Sequence, residues 1–143
     1  MLQITLLVVL FGGGGYAAVR GGAPERWGIG LFLMGAVLTN ITLAIAQVHY
    51  QRPVVGMMIV DLALAIAFTV LALKAQRFWP LWVAAAQIDM VAADVVIYSS
   101  QTTPWAYAIA LWALSFPPPV LIGFGAWRHR RRLDHFGNDP SWV

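Results

Sequence analysis

"WPLWVAAAQIDMVAADVVIYS", residues Trp79–Ser99, is an apolar run of about 20 residues, the length that crosses the hydrocarbon of a bilayer. Two aspartates, Asp89 and Asp94, interrupt it. Reading this run as a membrane span decides the fold, and the two acids then become the first functional question. The composition supports that reading. Of 143 residues, 60% are hydrophobic and only 10% charged, with a mean hydropathy of +0.73. A soluble domain carries about 25% charged residues.

Working outward from this run, apolar stretches separated by turn-forming or charged clusters predict five spans: roughly 2–19, 27–48, 53–73, 79–99 and 104–127. The breaks "RGGAPER", "HYQRP", "KAQRF" and "SSQTTP" each hold the Pro, Gly or charge that ends a span. The fold class expected is all-α, a polytopic five-helix transmembrane bundle. Residues 1–127 form one transmembrane domain and residues 128–143 a basic cytoplasmic tail. The N-terminal apolar run has no basic residue ahead of it, so it reads as a retained first span rather than a secretory signal.

Of nine basic residues, eight fall on one side of this arrangement: Arg20, Arg26, Lys74, Arg77, Arg128, Arg130, Arg131 and Arg132. Only Arg52 falls on the other. Basic residues collect on the cytoplasmic side, which predicts an N-out/C-in orientation. Trp27, Trp79, Trp82 and Trp127 toward the inside, and Tyr50, Tyr98 and Trp105 toward the outside, read as interfacial belts. The run Arg128, Arg130, Arg131 and Arg132 reads as a topogenic anchor touching lipid headgroups. Nucleic acid is not expected as a partner.

Two places break helical regularity. Gly12–Gly15 would each cost about 0.5–1 kcal/mol relative to alanine in a helix interior, and close helix approach through Gly13/Ala17 and Gly14/Ala18 would compensate. In the last span, Pro117, Pro118 and Pro119 lack N–H groups and predict a kink or break. Glycines and prolines fall at one level, so the first span is expected to pack on the last. Two readings stay open for the break: a packing device, or a gate whose freed carbonyls line a cavity.

Three aspartates lie within spans, Asp61, Asp89 and Asp94, with no Lys or Arg inside a span to pair them. An aspartate at mid-membrane costs about 2.5–3.5 kcal/mol on the insertion scale. Such acids are protonated, share a proton, or hold a cation. At about 100° per residue, Gln87, Asp94 and Tyr98 form one stripe of the fourth span, and Asp89 is turned about 140° from Asp94 toward Ala85, Ala92 and Ala93. The Asn40/Gln47 stripe, Asp61 and the Gln87/Asp94/Tyr98 stripe are expected to converge. The alternative is a protonated acid serving as interhelical glue. His49, at the outer mouth of the second span, is a candidate proton relay.

Chemistry of other kinds finds little footing. With no cysteine there is no thiolate catalysis or Cys-ligated metal. His129, Asp134 and His135 do not make a ligand set of known spacing, so no metal is expected. No nucleophile motif or phosphate loop is present, so the chain does not read as an enzyme, and its residues name no cofactor.

"RFWPLWVAAAQI" (Arg77–Ile88), together with "GGAPERW" (Gly21–Trp27), resembles small uncharacterised inner-membrane proteins of alphaproteobacteria. These carry an R-[FW]-W-P-L-W lead-in to a helix bearing a glutamine. The resemblance implies a bacterial inner membrane and no activity. It departs at Asp94, near which the pattern commonly has a histidine. Two functions remain as expectations: a small channel or transporter handling protons or cations through its aspartates, acting as a homo-oligomer, or a non-catalytic accessory subunit of a larger membrane complex.

Overall fold

The computed structural model describes residues 10–46, 55–99 and 104–137. Gln47, His49 and the start of the expected first span lie outside them. The described residues are helical apart from short connections such as 21–22 and 75–78, with no β-strand among them. A wide π-type turn, Leu10–Gly14, leads into α1 (Gly15–Arg20). There follow α2 (Ala23–Ala46), α3 (Val55–Lys74), α4 (Trp79–Ser99), α5 (Pro104–Ser115) and α6 (Pro117–Phe136).

Among the described residues four helices are long and apolar enough to cross a membrane: α2, α3, α4 and the stretch Ile109–Phe136. No more than 33% of any of these apolar windows is buried inside the bundle. Ile45, Ile59, Ile66, Leu73 and Val96 all face outward. A helix apolar on every side has nowhere but lipid to place its outer face. The chain is therefore a helical membrane protein. Helices α2 and α3 begin and end within a few residues of the sequence-based bounds, and α4 coincides with them.

The helices pack as α2 on α3 and α3 on α4, while α6 runs against α4, α2, α1 and the π-type turn. The core lies at the arginine-bearing end, where Ile29, Phe68, Trp79, Val83 and Ile122 meet. Hydroxyls within the helices return to their own backbone: Thr42 Oγ1, Thr69 Oγ1 and Ser115 Oγ donate to the carbonyls of Leu38, Ala65 and Leu111 at 2.9, 2.7 and 2.6 Å. In lipid no water is at hand, and the carbonyl four residues back is the nearest acceptor.

The last span is broken as expected, and the break has a definite form. The helix is interrupted at Phe116, whose backbone stays in the right-handed region (φ −73°, ψ −42°). Pro117, Pro118 and Pro119 then occupy the first turn of α6, where amide groups have no intrahelical partner in any case. The three prolines start a helix rather than damage one. Gly13 sits against this turn: a Cβ there would come within 3.1 Å of the Pro119 carbonyl oxygen, and one on Gly123 within 3.1 Å of Gly13 Cα. Gly14 is buried beside it. The contact between first and last spans that the small residues predict is present.

Beyond Trp127 the sequence reading ends the span, but α6 continues through the basic segment. It stops at Gly137, which adopts the left-handed conformation (φ 66°) and donates its N–H to the Leu133 carbonyl at 2.9 Å. Glycine takes this conformation at a helix end without steric cost.

Candidate functional site

Helices α3 and α4 run antiparallel, and Asp61 lies about two turns from the start of one while Asp94 lies about as far from the end of the other. The two carboxyls therefore meet at one level. Asp94 is fully buried and Asp61 9% exposed, and each lies within reach of the other's charge and side chain. Neither Asp94 oxygen completes a well-formed hydrogen bond. Gln87, two turns along α4 on the same face, is also buried, and its carbonyl oxygen is unpartnered. Burying such groups without partners costs about 1–3 kcal/mol each, which two facing carboxyls offset by sharing a proton.

The other polar residues divide from this pair. Asp89 is exposed on the opposite side of α4, where Ala85 and Ala92 are exposed as well, as helical geometry predicts. Tyr98 is 61% exposed. Asn40 is exposed and donates an N–H of its amide to its own Ala36 carbonyl at 2.8 Å. Of the expected convergence, Asp61 and Asp94 meet with Gln87 on the same buried face, and Asn40 and Tyr98 stand apart; Gln47 lies outside the described residues.

A second polar cluster lies at the other end of the bundle, and single-helix reasoning does not find it. Glu25, in the first turn of α2, is fully buried. Pro24 beside it suits the start of a helix, and an acid there faces the positive end of the helix dipole. Its Oε1 accepts the Trp79 indole N–H at 3.0 Å and pairs with Arg77 Nε at 3.4 Å. Arg77 Nη2 lies 2.8 Å from His129 Nδ1, so the cluster ties α2, the segment before α4, and α6. Trp79 does not join an interfacial belt: its ring is 5% exposed and wedged between Gly28 and Gly125, where a Cβ on either glycine would overlap it.

Beside this cluster is a cavity of about 700 Å³ between the start of α4 and the second half of α6. Arg77, Arg128, His129 and Arg132 line it, with Trp82 and Phe124 among its apolar walls. The arginine run thus splits. Arg128 and Arg132 face the cavity, Arg131 lies 5.5 Å over the Trp127 ring, and Arg130 is exposed. Among the described residues no group of His, Asp or Glu is placed to hold a metal ion.

No known protein family, curated protein or solved structure matches the chain. The class defined by fold and sites is a multi-helix membrane protein with an acid pair between two helices, and its function is argued from these residues.

Proposed function

We propose that the chain is a multi-pass protein of a bacterial inner membrane, with five spans and its N-terminus outside, that binds protons or cations at the Asp61–Asp94 pair. The observation that carries this reading is the facing of two buried carboxyls on neighbouring helices, each within reach of the other's side chain. Within α3 and α4 the one basic residue is Lys74, at the end of α3 away from Asp61. Two acids held together in a low-dielectric setting avoid mutual repulsion by sharing a proton or enclosing a cation. An ionisable group inside a membrane segment is a functional candidate by default. Channel or transport activity would use this exchange, with the break at Phe116 as the place where the last span bends.

The test is flux in proteoliposomes containing the purified full chain, under a pH gradient or a sodium or potassium gradient. The parent should conduct, and Asp61→Asn and Asp94→Asn should each lower the flux at least tenfold while the protein stays folded. Absence of flux in the parent, or flux in both variants equal to the parent's, defeats the reading.

A second reading is favoured by Asp89. This acid lies near the middle of α4 on a face of exposed small residues, and alanines let another helix approach closely. A partner subunit, or a second copy of the chain, would cover it, and the protein would then be an accessory component of a complex. Recovery of a stable monomer with Asp89 facing lipid would argue against this.

A further inference from the structure

We propose that the cavity between the start of α4 and α6 is a binding site for the phosphate of an anionic phospholipid. Arg128 and Arg132 are one turn apart on α6 and line the same cavity with Arg77 and His129. Residues four apart share a helix face, so two guanidinium groups are held beside each other. The described lining gathers these four basic or imidazole side chains and no acidic one; Glu25, paired with Arg77 and Trp79, is not among them, and Asp134 is exposed two residues beyond Arg132. An anion with several acceptor oxygens answers this arrangement, because guanidinium groups bind phosphate through paired N–H donors.

The other half of the cavity identifies the source of the phosphate. Trp82 and Phe124 are 56% and 53% exposed and stand on the side of the cavity from which the apolar helices run into the bilayer. A soluble phosphate has no use for such walls. A phospholipid places its headgroup among the arginines and its glycerol and upper acyl chain along the aromatic rings, which suit the interfacial level. An acidic peptide would satisfy the arginines but would leave these rings toward lipid.

The experiment is native mass spectrometry of the full chain released from mixed phosphatidylglycerol/phosphatidylcholine nanodiscs, scoring the phosphatidylglycerol retained. A hydrogen bond to a charged group contributes at least about tenfold in affinity. The variant R128Q/R132Q should therefore lose about 100-fold. The control R26Q/R130Q removes the same charge from the same end of the bundle outside the cavity, and it should retain lipid like the parent.

Equal losses in the two variants would mean diffuse attraction and overturn the proposal. Displacement of the lipid by millimolar inorganic phosphate or by an acidic peptide would overturn the lipid assignment. Should R128Q/R132Q not fold, the parent is compared with W82F in membranes of dibrominated lipid. Bromine on phosphatidylglycerol should quench Trp82 more than bromine on phosphatidylcholine, and equal quenching overturns the proposal.

Discussion

Replacing Glu25 by glutamine isolates the charge at the centre of the arginine-end cluster. The side chain is fully buried, and glutamine keeps its size and a carbonyl oxygen able to accept the Trp79 indole N–H, now at 3.0 Å. What is lost is the negative partner of Arg77, whose side chain is 5% exposed. Breaking a buried pair from one side costs about 3–5 kcal/mol. The His129 contact to Arg77 offsets part of this, so about 3 kcal/mol is expected. Glu25→Ala also strands the indole N–H, adding about 1–3 kcal/mol.

The double variant E25Q/R77M removes both charges, and buried pairs replaced by apolar groups of similar size are often near neutral in stability. It should recover to within about 1 kcal/mol of the parent. The assay is equilibrium unfolding in dodecylmaltoside micelles titrated with sodium dodecyl sulfate, followed by tryptophan fluorescence and circular dichroism. If E25Q unfolds within about 0.5 kcal/mol of the parent, or if the losses of E25Q and R77M simply add, the pair is not the linkage described.

The remaining expectations use the same unfolding assay. Gly125→Val should destabilise by about 1–3 kcal/mol through overpacking against Trp79, and W79L should relieve much of that loss; no rescue would mean the clash lies elsewhere. Phe68→Ala, at a position with no exposure, should cost about 3–5 kcal/mol, whereas Ile66→Ala on the outward face of the same helix should cost far less. Pro117→Ala should change stability by less than about 1 kcal/mol, because a first-turn proline gives up no helical hydrogen bond; a large gain would show that the proline interrupts a helix interior.

How much was legible in the sequence follows from where each charge lies. Asp61, Gln87 and Asp94 are conspicuous because they interrupt apolar runs, and helical spacing alone separates Asp94 from Asp89. Glu25, Arg77 and His129 sit at span ends, where charged residues are ordinary and serve topology. Nothing along one helix tells a buried charge from a solvated one there; only the meeting of α2, α4 and α6 does. Trp79 was hidden for the same reason, since an interfacial tryptophan and a core tryptophan occupy the same place in a span. The prolines showed the location of the break but not its form, which depends on their falling in a first turn. Asn40 misled because its side chain is exposed and turns back to its own helix, donating to the Ala36 carbonyl.

The seating of Trp79 between Gly28 and Gly125 binds three distant positions into one unit of inheritance. A side chain can be gained at 28 or 125 only if the ring at 79 shrinks, and a smaller residue at 79 leaves a hole that only growth at 28 or 125 refills. Descendants of this sequence should therefore change the three together or not at all. A lineage that alters one alone should show a compensating change among the residues around Ile29, Val83 and Ile122.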